Sequence, residues 1–78
     1  MARFEEESVQ LTVRECDVLH LVALGRSAKE TALALEIAPC TVERHVENVR
    51  LKTRTRNRAH MIAHVIRTGL LPEMRAAM

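Results

Sequence analysis

Charged and polar side chains recur between residues 40 and 54 at spacings that place them on one side of a helix. A guanidinium such as that of Arg44 matches the two major-groove acceptors of guanine, and a carboxylate such as Glu43 or Glu47 can accept from the amino group of cytosine. At roughly 100° per residue, the predicted outer face carries Cys40, Glu43, Arg44, Glu47, Leu51 and Arg54. The pattern is typical of a helix that lies in the major groove of DNA.

The charge of the chain is unevenly distributed. The formal net charge is only +2, yet residues 44–58 carry six basic side chains against the single acid Glu47. Residues 1–17 carry five acidic side chains against Arg3 and Arg14. A basic segment of this kind favours a polyanionic partner such as double-stranded DNA, with a solvated helix face as the alternative.

Other chemistry finds little support in the residue spacing. The pairs Cys16 with His20 and His60 with His64 are each four residues apart but have no evident third ligand, so we expect packed or surface side chains and no metal. Cys40, near the start of the third predicted helix, is expected to be a buried or neutral thiol, with a redox switch on DNA binding as the minor hypothesis.

An enzyme is not expected. No nucleophile has a base at a recognisable spacing, no glycine-rich phosphate loop is present, and a chain of 78 residues leaves little room for a pocket of about 300 Å³. No cofactor is predicted.

Capping signals divide the chain into helices. Thr12 with Glu15, and Ser27 with Glu30, each form a capping-box pattern. They predict a first helix that runs to about Leu24 and a second that runs to about residue 35. Because its apolar residues cover more than one face, the first helix is expected to be the central, most buried one.

A turn over residues 36–38 follows, and Pro39 suits the first position of a third helix that extends to about residue 53. Asn57 is the expected cap of a fourth helix over residues 58–68, which Gly69 and Pro72 end. The chain is therefore predicted to be one all-α domain over residues 11–71, with a flexible acidic arm at 1–10 and a tail at 72–78. No signal peptide and no apolar run of about 20 residues is present, so we expect a cytoplasmic protein with reduced cysteines.

Several short motifs resemble the LuxR/GerE-type DNA-binding domain over about residues 10–71. They are Leu11-Thr12-x-Arg14-Glu15, Thr41-Val42-x-x-His45-Val46-x-Asn48-Val49 and Asn57-Arg58-Ala59. The promoter-reading domain of sigma factors shares the helix-turn-helix pattern, but the second and third motifs favour LuxR/GerE.

The resemblance implies a four-helix bacterial transcription-regulator domain, with a tri-helical core and a fourth helix that dimerises. Helices 2 and 3 would form the helix-turn-helix, and DNA-bound copies would associate with the nucleoid. The expected DNA-binding residues are Lys29, Cys40, Thr41, Glu43, Arg44, Glu47, Arg50 and Arg54, of which Glu43, Arg44 and Glu47 would face base edges while Lys29 and Thr41 hold phosphates. The expected dimer interface is Met61, Ile62, Val65, Ile66 and Leu70.

The chain departs from the family pattern in ways that bear on DNA binding. Glu43 and Glu47 stand where many relatives have Lys or Arg, and their carboxylates are expected to repel phosphates. Ala38 replaces the usual serine cap. Threonines stand at three positions that relatives usually fill with buried aliphatics, and leucines at two that are usually polar; the five are Thr31, Thr53, Thr55, Leu33 and Leu51.

Two functions follow from these observations. The first is a short stand-alone regulator that binds a near-palindromic DNA site as a homodimer. The alternative is a protein-interaction module that pairs with a larger LuxR-type regulator or with RNA polymerase and has little DNA affinity of its own. Glu43, Glu47 and Leu51 on the outer face favour the alternative.

Overall fold

The computed structural model describes residues 9–71. This part folds into four helices, α1 (Val13–Ala23), α2 (Ala28–Leu35), α3 (Pro39–Thr53) and α4 (Arg58–Arg67), and it contains no strand. The all-α prediction is confirmed, and each helix bound lies within one residue of the predicted one. The tail, the expected stop at Pro72 and all but two residues of the predicted arm lie outside the described residues.

Side chains cap three helices as the sequence predicts. The Thr12 hydroxyl accepts from the backbone N–H of Glu15 at 3.0 Å, and the Glu15 carboxylate accepts from the backbone N–H of Thr12 at 2.9 Å. Ser27 and Glu30 form the same reciprocal pair. The Asn57 side chain accepts from the backbone N–H three residues on. At α3 the Ala38 side chain makes no capping bond, so this helix starts on Pro39 alone.

Three helices end in the same backbone geometry. Gly25 follows α1 in a left-handed conformation with φ +93°, as predicted. Glu36 and Arg54 follow α2 and α3 in left-handed conformations as well, with φ near 60° and no glycine. In each case the next residue donates its N–H to a carbonyl five residues back, from Arg26 to Leu21, from Ile37 to Ala32 and from Thr55 to Arg50. These endings fix the direction in which the chain leaves each helix.

The central helix is α3, not α1, which corrects the predicted position of α1, although α1 has the larger buried share, four of its 11 residues against three of 15 in α3. α3 packs against α1, α2 and α4, and its buried stripe is Val42, Val46 and Val49. α1 contributes buried side chains on one side only, whereas Val13 and Leu24 on its other side are exposed. The physical reason is position: α1, α2 and α4 all pack on the buried side of α3, whereas the outer side of α1 faces solvent.

Threonines occupy buried places in the core, as their positions in the sequence suggested. Thr31 and Thr55 are buried, and Thr53 is half-buried. The Thr53 hydroxyl donates to the Val49 carbonyl at 2.8 Å and lies 3.0 Å from the Thr55 hydroxyl, so this pair is satisfied. The Thr31 hydroxyl oxygen has no hydrogen-bond partner in the described part of the chain, which is a cost to stability.

One ion pair links the start of α1 to the end of α3. The Lys52 ammonium lies 2.7 Å from Oε1 of Glu15 and 3.2 Å from the Gln10 carbonyl oxygen. Burial of Glu15 raises the pKa of its carboxyl, but hydrogen bonds from Lys52 and Thr12 outweigh burial and leave that pKa below its ordinary value. The same carboxylate therefore completes the α1 cap and joins two helices that are distant in sequence.

Replacing Lys52 by Met is expected to destabilise the fold by about 1–2 kcal/mol, because it leaves the buried Glu15 carboxylate without its cationic partner. A carboxyl whose pKa is lowered on folding stabilises the protein above its unfolded-state pKa, and that contribution is lost as the pH falls through the folded-state pKa. The difference in unfolding free energy between wild type and variant should thus be largest near neutral pH and shrink on acidification below pH about 5.

Urea denaturation at several pH values measures this difference. Lys29→Met, which removes an exposed lysine that has no acidic partner in the described residues, is the control and should change stability by less than about 0.5 kcal/mol. If Lys52→Met lowered the unfolding free energy by the same amount at pH 7 and pH 4, the assigned stabilising role of the Lys52–Glu15 ion pair would be contradicted.

Candidate nucleic-acid interface

One face of α3 is free of other helices. All six residues predicted on it are exposed: Cys40, Glu43, Arg44, Glu47, Leu51 and Arg54. Residues 40, 44, 47, 51 and 54 follow one another at spacings of four and three, which places them in one line along the helix. We call this line the outer stripe. It lies opposite the buried valines, so the solvent-facing surface is the one the sequence predicted.

The two helices of the predicted helix-turn-helix are joined as that motif requires. α2 and α3 pack against each other, and residues 36–38 form the turn between them. Lys29 lies exposed in the first turn of α2, and Thr41 lies half-buried in the first turn of α3. The structure thus places both predicted phosphate-binding residues at helix N-termini, where backbone N–H groups favour anions.

The two carboxylates near the stripe are each bonded to an arginine. Glu43 accepts from Arg58 of α4 at 2.8 Å. Glu47 accepts from Arg50 through both of its oxygens, at 3.0 and 2.6 Å. The sequence pattern predicted two carboxylates that repel phosphate. Pairing with cations weakens that repulsion, and tertiary structure was needed to reveal the Glu43 contact because its partner is fifteen residues away.

Arg50 is held on two sides within the molecule. Besides its fork on Glu47, it donates from Nη1 to the Thr55 carbonyl oxygen at 2.8 Å. The hydrogen bonds from Arg50 hold the pKa of the Glu47 carboxyl below its ordinary value, and Glu47 in turn raises the pKa of Arg50. Arg50, predicted as a DNA-binding residue, is thus engaged in intramolecular contacts.

The basic segment offers fewer unpaired cations than its composition suggests. Lys52, Arg50 and Arg58 each have an acidic partner. Within residues 9–71, the basic side chains of segment 44–58 without an acidic partner are Arg44, Arg54 and Arg56. All three are exposed, and Arg44 lies within the outer stripe.

A shallow depression, largely open to solvent, lies between α1 and α2; because it is not enclosed, it does not contradict the expectation that the domain has little room for a pocket. It measures about 420 Å³ and is lined by Cys16, Asp17, His20, Leu21 and Leu35. No group of three or more His, Cys, Asp or Glu side chains in residues 9–71 is arranged to hold a metal. His60 uses Nδ1 to accept from the Arg56 backbone N–H at 3.0 Å. Cys40 is exposed.

The predicted dimer residues divide into two groups. Met61 and Val65 have 0% of their surface exposed and belong to the core of the single chain, so the prediction is corrected at these two positions. Their side of α4 packs against the core, which removes them from any partner. Ile62, Ile66 and Leu70 are only half-buried.

Two small residues that the sequence analysis overlooked extend this apolar surface. Ala59 and Ala63 are exposed at helical spacing from Ile62 and Ile66. We call the five residues Ala59, Ile62, Ala63, Ile66 and Leu70 the α4 patch. The signal was present in the sequence, because each of these alanines stands three residues before an isoleucine.

The fold and the exposed stripe define a helix-turn-helix domain of the DNA-binding class. Residues 9–65 match the family described as bacterial regulatory proteins, luxR family, and the chain belongs to that family. It is thus a DNA-binding domain of transcription regulation, and the predicted resemblance is confirmed. None of the helices in residues 9–71 is both long and apolar enough to cross a membrane.

Proteins similar to this chain are named as transcriptional regulators. The transcriptional regulatory protein MctR of Rhizobium johnstonii is 38% identical over 92% of this chain and 34% of its own length. The transcriptional activator protein SolR of Ralstonia solanacearum is 38% identical over 85% of this chain and 28% of its own. The uncharacterized transcriptional regulatory protein YhcZ of Bacillus subtilis is 39% identical over 90% of this chain and 33% of its own length. The chain therefore spans about a third of the length of these relatives.

Proposed function

We propose that this domain binds double-stranded DNA sequence-specifically as a homodimer, with α3 of each copy in the major groove of one half of a near-palindromic site. The observation that carries the proposal is the outer stripe, which is exposed along the whole of α3 and contains the unpaired Arg44. An α-helix fits the width of the major groove, and a polar outward face is what such a helix needs.

The basic side chains have distinct proposed roles. Arg44 reads guanine through its O6 and N7 acceptors. Lys29, Thr41 and Arg54 hold backbone phosphates, which fixes the register of the helix without reading sequence. Cys40, exposed at the N-terminal end of the outer stripe, adds a contact to the phosphate backbone in this proposal. Arg56, exposed and without an acidic partner in the described residues, adds a further phosphate contact.

The α4 patch supports the homodimer. Four of its residues lie on α4 and Leu70 follows the helix; Ile62, Ile66 and Leu70 pack partly against the core and leave the rest of their apolar surface exposed. A surface of this kind on a small domain is stabilised when a second copy covers it. A two-fold pair of such domains would place its two α3 helices about one helical turn of DNA apart, roughly 34–36 Å, on half-sites of opposite orientation.

One observation favours the second candidate function, a module that binds another protein and barely binds DNA. Leu51 in the outer stripe is 59% exposed and Leu33 on α2 is 75% exposed. The partner would be a larger LuxR-type regulator or RNA polymerase. The paired carboxylates weigh against this alternative, because repulsion of phosphate was its other support.

Selection of genomic fragments by the purified protein, repeated at salt concentrations from low to physiological, separates the two candidate functions. The same selection with the Arg44→Ala variant tests the assigned base-reading residue. The regulator should enrich a near-palindrome and lose affinity steeply as salt rises. Arg44→Ala should weaken binding by about 1–3 kcal/mol and relax the preference for guanine at one position of each half-site.

Arg14→Ala is the matched control, because Arg14 is an exposed arginine on α1 whose partner is Asp17. It should leave base preference unchanged. Absence of enriched DNA at every salt concentration would favour the interaction module, and unchanged guanine preference in Arg44→Ala would refute the assigned reading residue.

Ile66→Glu should weaken the homodimer by placing a carboxylate within the α4 patch. Sedimentation equilibrium should show a dissociation constant at least about tenfold higher, corresponding to roughly 1.4 kcal/mol, and binding to a full palindrome should fall more than binding to a half-site. The matched control is Leu33→Glu, which also replaces an apolar side chain by a carboxylate, at an exposed position of α2 outside the α4 patch. Equal dimerisation of wild type and Ile66→Glu would place the interface elsewhere.

A further inference from the structure

We infer that Arg50 is a positioning residue for sequence recognition: it holds the Glu47 carboxylate in one orientation, as an acceptor for the amino group of a cytosine in the major groove. This inference rests on the proposed function and names a second base that the recognition surface selects. It also assigns Arg50 a different role from the direct DNA contact that its position in the sequence suggested.

The contact between the two residues is a fork. Nε of Arg50 donates to one oxygen of Glu47 at 3.0 Å, and Nη2 donates to the other at 2.6 Å. Two parallel charge-assisted bonds fix the plane of a carboxylate, which a single contact does not do. Each carboxylate oxygen has two acceptor sites, so both oxygens keep acceptor capacity after the fork has formed. The Glu47 side chain is 54% exposed, and that capacity is open to a ligand.

Arg50 is itself held in place by a second contact, to the backbone. Its Nη1 donates to the Thr55 carbonyl oxygen at 2.8 Å. Thr55 is buried, and its own N–H donates to the Arg50 carbonyl at 3.1 Å in the left-handed ending of α3. The guanidinium is therefore held between the Thr55 backbone carbonyl and the Glu47 carboxylate. Because Thr55 is buried at the end of α3, this contact restricts the orientation of the exposed Glu47 side chain as well.

Glu47, rather than Glu43, has the geometry of a reading residue. Glu47 lies in the outer stripe between Arg44 and Leu51, whereas Glu43 lies beside the stripe. Glu43 receives a single bond from the exposed Arg58, on a different helix. Three residues of helix rise separate Arg44 from Glu47, about 4.5 Å, which is close to one base-pair step of about 3.4 Å. The two side chains can thus address neighbouring base pairs.

Cytosine is the base that this acceptor selects. Its amino group stands in the major groove with no acceptor of the same base beside it, while the amino group of adenine lies beside N7 of its own base, which repels a carboxylate. Guanine and thymine present acceptors at the corresponding edge. The hydrogen bonds from Arg50 lower the pKa of Glu47, so the carboxyl is ionised at neutral pH and acts only as an acceptor.

The test measures the affinity of the full chain for its selected DNA site with each of the four bases at every position. Wild type should prefer cytosine by about 5- to 100-fold at one position of each half-site, next to the guanine that depends on Arg44. Glu47→Ala should abolish this preference and leave the others intact. Arg50→Met should reduce it at least threefold although Glu47 is still present.

Arg58→Met is the matched control, because it removes the arginine of the other exposed pair. It should leave the cytosine preference unchanged. A purely structural role of Arg50 would instead lower the thermal midpoint and weaken all sequences equally, which would overturn the inference. If Arg50→Met does not fold, Arg50→Lys replaces it, since an ammonium cannot form the fork and should also lose the preference.

The outcomes separate this inference from the proposed function. Failure to bind any specific DNA sequence would overturn both. Sequence-specific binding with adenine preferred, or with no preference sensitive to Glu47→Ala, would overturn the role of Glu47 and Arg50 and leave the proposed function standing.

Discussion

Everything in this small domain depends on α3 having one side for the core and the other for solvent. The buried side is narrow, with only three valines, Val42, Val46 and Val49. A stripe of that width is stable only if every other helix packs on it, and α1, α2 and α4 all do. Because all three helices pack on the same side of α3, its opposite side is exposed to solvent on a helix that is held in place. The exposed outer stripe is therefore a direct consequence of how the core is packed.

Acidic residues decide which of the cations in the basic segment remain available. Glu15 engages Lys52, Glu47 engages Arg50, and Glu43 engages Arg58. The first pair stabilises the packing of α1 on α3, while the other two lie at the surface and set side-chain orientation more than stability. Composition alone treats all six basic residues as equivalent. The structure separates three that organise the domain from three that face solvent without an acidic partner in the described residues.

Sequence reasoning succeeded where the determining interaction is local. Both capping boxes, Pro39 and Asn57 act within three residues, so the helix bounds could be predicted closely. The Glu47–Arg50 pair was also within reach, since acid and base three residues apart meet on a helix. Its further anchor on the Thr55 carbonyl was not, because that contact depends on the left-handed ending at Arg54, a conformation that arginine rarely adopts.

Contacts between segments that are distant in the sequence could not be predicted, because they depend on how the helices pack together. Helical periodicity places Met61, Ile62, Val65 and Ile66 on one apolar side of α4, but it cannot tell which of them meets the domain's own core. Likewise, the apolar residues of α1 gave no sign that Val13 and Leu24 face solvent. Both errors have one origin: a lone helix pattern reports how much apolar surface exists, and only tertiary packing determines which part of it is covered.

The unpaired cations and the apolar α4 patch bear together on the proposed DNA binding. In the described residues, the exposed cations without an acidic partner are Arg26, Lys29, Arg44, Arg54, Arg56 and Arg67. They lie on different helices and turns, so we expect only some of them to reach phosphates at once. Since each neutralised phosphate contributes separately to affinity, a single copy should bind DNA weakly. Under the proposed pairing through α4, the second half-site contact would be intramolecular and would raise affinity without any new contact to DNA. Under the same proposal, discrimination between sites would come from side chains held in fixed orientations on α3, and dimerisation would add the affinity that a single copy lacks.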